Sequence, residues 1–150
     1  MTMNIFKSVI CHDYSVVRAQ RKAIQFKTNG VHMIGLAWIA NILSVAGIYI
    51  IYFLVNNRRN DIYDLLYELH YWELAGRVGI IILLAMGYLV AFAAYGGRQT
   101  FLSIIHEFMD QDENHQRVAS FKGGLYFYCS MLLVISVVSA LFYLIKVAGY

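Results

Sequence analysis

Residues 31–55 read VHMIGLAWIANILSVAGIYIIYFLV, a stretch of 25 positions without a formal charge. About 20 predominantly apolar residues in helical conformation are enough to cross the hydrocarbon core of a bilayer. The stretch therefore predicts a first transmembrane helix. Residues 78–95 and 124–145 repeat the pattern, and the second predicted span, 74–95, includes Arg77 close to its start. The sequence thus predicts an all-α, polytopic membrane protein with three transmembrane helices plus amphipathic flanking helices.

The composition of the whole chain supports this fold class. Of its 150 residues 60% are hydrophobic and 14% are charged, and the mean hydropathy is +0.57. These values are too apolar for a soluble domain. The three runs leave no length for a separate catalytic domain, so we expect a single membrane domain without enzymatic activity. Its predicted parts are a basic amino-terminal arm (1–30), the three spans, an amphipathic connection (56–73), an amphipathic and acidic connection (96–123) and a tail (146–150).

The amino-terminal arm has the pattern of a basic amphipathic helix. Apolar residues from Ile5 to Val17 recur at helical spacing on one face, and basic residues lie opposite. Such a helix beside a span is expected to lie on an anionic leaflet or to dock on a partner protein. A cleaved mitochondrial presequence shares this composition and is a further alternative.

The basic residues also indicate the topology. Those expected to set it are Lys7, Arg18, Arg21, Lys22 and Lys27, all before the first span. Counted over the loops, eight Lys and Arg residues fall on the amino-terminal side and four on the other. The positive-inside rule then places the amino terminus in the cytoplasm. We expect a bacterial inner membrane, with an organelle membrane as the alternative, and no nucleic-acid partner despite the net charge of +3.

Small residues repeat at steps of three, four or eight along each span. This spacing is typical of helix–helix interfaces in membranes, because small side chains let two backbones approach closely. Asn41 lies near the middle of the first span, where an amide without a partner is costly, so we expect it to hydrogen-bond to another helix. The alternative is a contact with a ligand or an ion. The predicted interface residues are Ala37, Ala40, Asn41, Ser44, Gly47, Ala75, Gly79, Gly87, Ala91, Ser136, Ser139 and Ala140.

Both connections carry apolar and aromatic faces at helical spacing. Tyrosine is enriched where a surface is half apolar and half wet, so these faces are expected to contact a partner or the membrane surface. At Gly96 and Gly97 the second helix is expected either to continue out of the membrane or to bend and lie on its surface. The residues assigned to this contact are Tyr63, Tyr67, Tyr71, Trp72, Phe101, Ile105 and Phe108.

The sequence offers little chemistry. Haem in a membrane bundle needs axial ligands, usually His, yet only His32 of the five histidines falls in a span, and at its edge. The alternating oxygen ligands from Asp110 onward lack the Gly and Glu of a calcium loop, because His115 and Phe121 occupy those positions. No phosphate-binding glycine loop or hydrolase motif occurs. We therefore expect no cofactor and no metal.

Three functions fit these observations. The leading hypothesis is a non-enzymatic small integral membrane subunit that scaffolds or stabilises a larger membrane protein assembly through helix–helix contacts with other integral membrane subunits. The alternative is a homo-oligomeric pore-forming, holin-like protein or a toxin-immunity membrane protein. A quinone- or haem-associated redox subunit is a minor alternative, in which a partner would share a ligand.

Overall fold

The computed structural model describes residues 3–19, 28–56, 60, 64, 67 and 73–147, with the backbone alone at 17–19, 73–77 and 80. Within these residues the structure is all-helical, as the sequence predicts. Positions 60, 64 and 67 are helical as well, and Tyr67 is exposed. Tyr63, Tyr71, Trp72, Arg21, Lys22 and Lys27 lie outside the described residues. The helices are α1 (Ile5–Ala19), α2 (Asn29–Val55), α3 (Glu73–Tyr95), α4 (Arg98–Met109) and α5 (Glu113–Lys146).

Two of the described helices, α2 and α5, are long and apolar enough to cross a membrane. Their most apolar windows have mean hydropathies of 2.0 and 2.3. A third crossing results if residues 81–109 count as one span, although α3 and α4 meet there at a bend of 70°. The coarse prediction of a helical chain with membrane-crossing segments is therefore confirmed.

The long helices form an open row with α2 in the middle. Helix α2 packs on α5 along one side and on α3 along the other. Because α2 is apolar on every side, it can bury two faces and leave the remainder to the bilayer. Its exposed residues include Leu36, Val45 and Ile48.

Helix α1 lies across one end of this row and is the most deeply buried part of the chain. It packs on α5, α2 and α4, with Val9, Ile10 and Cys11 at most 1% exposed. Of the apolar face predicted for the arm, Phe6, Val9 and Ile10 pack on the chain's own helices, whereas Ile5 and Val16 are exposed. For the packed residues this corrects the expectation that the arm lies on lipid or on a partner protein. The spacing of apolar residues shows that a helix buries one face, but it does not identify the element that packs on that face.

Glycines on both neighbouring helices make room for α1. A Cβ atom at Gly30 of α2 would lie 2.9 Å from the Cα of Ile10, and one at Gly123 of α5 would overlap the backbone of Ser8. At Gly124 an added Cβ would lie 2.6 Å from the imidazole of His12. Helix α1 therefore sits in a slot between two helices that only glycine allows to be this narrow. We call these residues the glycine slot.

The bend after α3 places α4 beneath α1. Gly97 is extended (φ −74°, ψ 138°) and ends the helical path, and Gly96 N–H donates to the Phe92 carbonyl at 2.7 Å. Of the two expectations for this glycine pair, the bend is the one observed. Phe101, Ile105 and Phe108, assigned to a partner or to the membrane surface, are instead 7% exposed or less and form a core with α1. Their assignment is corrected, since α1 supplies the apolar partner.

Helix α5 is one continuous helix of 34 residues. At about 1.5 Å per residue it is about 51 Å long, which exceeds the hydrocarbon thickness of about 30 Å. Its first turns therefore extend beyond the predicted third span (124–145) and reach α1. Glu113 in its first turn and Lys146 in its last suit the helix dipole. We refer to α1, α4 and the first three turns of α5 as the cap.

Candidate functional site

The contact between α2 and α5 uses the small residues predicted in the first span. Ala37 and Ser44 are fully buried, and Ala40 and Gly47 are buried beside them. The Ser44 hydroxyl donates to the Ala40 carbonyl at 2.7 Å, so it requires no partner from another helix. A Cβ atom at Gly47 would overlap Val137.

Asn41 has a partner on the neighbouring helix. Its Nδ2 donates to the Tyr126 hydroxyl of α5 at 3.2 Å, and Tyr126 is partly buried. This hydrogen bond satisfies an amide that would otherwise be costly in hydrocarbon. The structure thus gives the packing interpretation a specific contact, and it gives the ligand interpretation none.

The contact between α2 and α3 uses only part of the stripe predicted on the second span. Ala91 is buried and Gly87 faces the Trp38 ring, 3.5 Å from the position of an added Cβ. Gly79 faces open space, with no described atom within 4 Å, and the side chain of Ala75 is outside the described residues. Gly35 was missed by the sequence pattern, although a Cβ there would overlap the Tyr88 ring.

Within the part of the chain that the structure describes, the small face predicted on α5 is not packed against another helix. Ser136, Ser139 and Ala140 are exposed, and Val137 with Ser130 faces inward in their place. At about 100° per residue, Ser136 lies roughly a quarter of a turn away from Val137. The three residues share their face with Cys129 and Tyr143, which are also exposed. This surface, residues 129, 136, 139, 140 and 143, is called the small face of α5.

An aromatic cluster joins the cap to the row of long helices. The Phe6 ring of α1 lies 6.3 Å from Trp38, 6.4 Å from Tyr95 and 6.1 Å from Tyr126, measured between ring centroids. Above it an apolar crevice of about 380 Å³ runs between α2 and α3. Its lining was not predicted as a site, because each residue alone is an ordinary apolar position. The lining residues are Phe6, Ile34, Trp38, Ile42, Leu83, Met86, Gly87, Val90, Ala91, Ala94 and Tyr95.

A polar chain lies at the start of α2. Thr28 Oγ1 is 3.1 Å from His32 Nε2, and His32 Nδ1 hydrogen-bonds to the Tyr88 hydroxyl of α3. The imidazole also stacks on the Tyr88 ring at 5.6 Å. Both ring nitrogens of His32 are therefore engaged, which leaves neither free to ligate a metal or haem iron.

The cap contains an open groove of about 790 Å³ between the end of α1 and the first turns of α5. Its polar residues include His12, Ser120 and Glu113. The Ser120 hydroxyl is 3.4 Å from His12 Nδ1, which is long for a hydrogen bond that must activate a nucleophile. Arg117 is paired with Glu113 at 2.7 Å within the same helix.

Cys11 is not a nucleophile in this fold. Burial and the nearby Glu107 carboxylate raise the pKa of its thiol to about 12, against the lowering effect of Lys7. The thiol therefore stays protonated at neutral pH, and the thiolate is the reactive form. Lys7 and Glu107 form an ion pair at 2.7 Å across α1 and α4.

The acidic turn before α5 is a helix start. Asp112 precedes the first residue of the helix, and the side-chain hydrogen bond to His115 is the main reason that its pKa lies below the ordinary value. In the part of the chain that the structure describes, no three His, Cys, Asp or Glu side chains cluster as a metal site would require.

Comparisons of the chain with models of protein families, with curated proteins and with solved structures each find no match.

Proposed function

We propose that this protein is a non-enzymatic subunit that scaffolds or stabilises a larger membrane assembly through helix–helix contacts with other integral membrane proteins. In this proposal the chain crosses the membrane three times, with residues 31–55, 74–95 and 124–145 as its spans. The amino terminus and the cap lie in the cytoplasm of a bacterium, at its inner membrane. No cofactor is part of the proposal.

The small face of α5 is the observation that carries the proposal. Only 11% of the most apolar 18-residue window of α5 is buried within the chain. On its outward side Ser136, Ser139 and Ala140 interrupt larger exposed residues such as Leu132 and Phe142. Small and hydroxyl-bearing residues admit a neighbouring helix at close range and can hydrogen-bond to it, which is how membrane helices associate.

The experiment is native-state mass determination of the tagged protein, extracted from its own membrane in a mild detergent, with co-purifying chains identified. The test variant carries Ser136→Leu and Ala140→Leu, which fill the small face. The matched control carries Ile135→Leu and Val138→Leu, which change two exposed side chains on the adjoining outward face by at most one methylene group. We expect distinct partners in fixed ratio for the native chain and the control, and at least tenfold less partner for the test variant.

The alternative function is a homo-oligomeric holin-like pore or the immunity protein that opposes one. It is favoured by the two serines on the small face, which would form a polar strip where copies of α5 meet. A homo-oligomer without other chains, together with loss of membrane potential on expression, would support this alternative. A monodisperse monomer would contradict both proposals.

A further inference from the structure

The crevice between α2 and α3 is long and apolar. Its lining follows α3 from Leu83 to Tyr95, which spans about 18 Å at about 1.5 Å per residue. Ile34, Trp38 and Ile42 line the opposite wall at intervals of one helical turn. The volume of the crevice is about 380 Å³.

Its length and volume limit the apolar occupants that a membrane offers. A helix about 10 Å in diameter fills about 1,400 Å³ over the same length, which is more than the crevice can hold. An extended hydrocarbon chain is a much thinner apolar group and can lie along the crevice. Gly87, Ala91 and Ala94 contribute small side chains to its α3 wall. An apolar void of this kind loses dispersion contacts unless a chain fills it.

The cap end of the crevice has the polarity that a lipid headgroup requires. Phe6 and Tyr95 line that end, and aromatic side chains are enriched at the depth where acyl chains meet headgroups. Arg98 is exposed at the start of α4, three residues beyond Tyr95. Consecutive Cα atoms are about 3.8 Å apart, so its Cα lies within about 11 Å of the crevice end, within reach of a phosphate. A guanidinium binds a phosphate oxygen pair well.

We propose that the crevice between α2 and α3 holds one acyl chain of an anionic phospholipid whose phosphate is bound by Arg98. This inference rests on the membrane location of α2 and α3 and is independent of the scaffolding role. Copurifying protein partners would test that role, whereas retained lipid tests the crevice.

The first experiment measures phospholipid retained by the full-length protein in native mass spectra, after reconstitution in nanodiscs of equal phosphatidylglycerol and phosphatidylcholine and transfer to mild detergent. Ala94→Trp fills the crevice from an exposed position, and Ala93→Trp places the same ring on the neighbouring exposed position outside the lining. We expect one retained lipid per chain for the native protein and for Ala93→Trp, and at least tenfold less for Ala94→Trp. Equal retention by the two tryptophan variants would overturn the proposal.

The second experiment tests the headgroup. Arg98→Gln is compared with Arg117→Gln, which removes a cation from the cap that is paired with Glu113. We expect native protein and Arg117→Gln to retain phosphatidylglycerol at least fivefold over phosphatidylcholine, and Arg98→Gln to retain the two equally. No preference in the native protein would overturn the assignment of an anionic headgroup. An isoprenoid quinone in place of phospholipid, in protein extracted from its own membrane, would overturn the lipid class.

Discussion

The small residues at the two ends of α5 differ in how closely they are packed. At the cap end, Gly123 lies so close to the α1 backbone that no Cβ fits there, and Gly124 lies against the His12 imidazole. In the apolar part, Ser136, Ser139 and Ala140 are exposed, and none of the described helices packs on them. The cap is therefore packed from within, and the outer surface of α5 remains available to the bilayer or to other chains.

The same difference separates glycines on different helices. Gly123 is buried against Ser8, whereas Gly79 of α3 faces open space among the described residues. Small residues at helical spacing thus show that another helix can approach closely at that position. They identify an interface only when the helix that packs there is known. Three substitutions test how strongly the cap depends on its own contacts.

The largest effect is expected from Gly123→Leu. Its side chain must displace the α1 backbone, because the clashing atoms belong to Ser8 and Val9 and not to a flexible side chain. Overpacking a core typically lowers the free energy of unfolding by about 1–3 kcal/mol. Because this substitution undocks α1, we expect a loss of about 3 kcal/mol or more. Thermal unfolding in detergent measures this loss. Gly79→Ala is the control, and it should stabilise the protein by up to about 1 kcal/mol, since alanine is the better helix former. Equal effects of both changes would contradict the glycine slot.

A smaller effect, dependent on pH, is expected from Cys11. Its folded-state pKa of about 12 lies above the ordinary value of 9.0, so its contribution to stability is complete below pH 9 and is lost as the pH rises towards 12. Relative to Cys11→Ala, the native protein should lose about 1.4 kcal/mol of unfolding free energy per pH unit in that range. Denaturation at pH 8, 9 and 10 measures the slope. Parallel curves for the two proteins would show that the thiol is not buried.

Accessibility of the same thiol gives an independent measurement. In a Cys129→Ala background, Cys11 should react with a soluble maleimide at pH 7.5 at least a hundredfold more slowly than the denatured protein, because both its burial and its raised pKa oppose reaction. Adding Gly123→Leu should expose it. Slow labelling in that double variant would mean that α1 stays docked.

The smallest effect is expected from the ion pair between Lys7 and Glu107. The Lys7 and Glu107 side chains are 35% and 36% exposed, so solvent screens the attraction between them. Lys7→Gln should therefore lower the free energy of unfolding by less than about 1 kcal/mol. The pair of Arg117 and Glu113 is far more exposed, and Arg117→Gln should cost still less. Unfolding at low and high salt measures both. The cost at Lys7 should shrink with added salt, and an unchanged cost would mean that Lys7 acts through packing.

The helical class and the long apolar helices could be predicted from the sequence because bilayer thickness sets a length that residues 31–55 satisfy directly. The face of α2 that carries Ala37, Ser44 and Gly47 could also be found by spacing. The bend at Gly96 and Gly97 was one of two expectations. A pair of glycines permits both a bend and a continuous helix, and packing beneath α1 selects the bend.

The partner of each face could not be predicted. The arm and α4 each present an apolar face at helical spacing, and the sequence alone does not show that Phe108 and Tyr14 bury each other, with ring centroids 6.4 Å apart. The glycine slot was missed for the same reason, since Gly30 and Gly123 stand at the edges of apolar runs and resemble boundaries. The crevice depends on distances between α2 and α3, which no local pattern encodes.

The continuity of α5 has a mechanical consequence. One unbroken helix joins the glycine slot at Gly123 to Tyr143, a distance of about 30 Å at about 1.5 Å per residue. Helix α5 acts as a rigid rod, and α1 holds its cap end. A tilt of about 5° at the slot displaces the far end by about 2.6 Å, which is enough to alter the packing of any neighbour there. A small shift of α1 in the cap therefore produces a larger movement at the far end of α5.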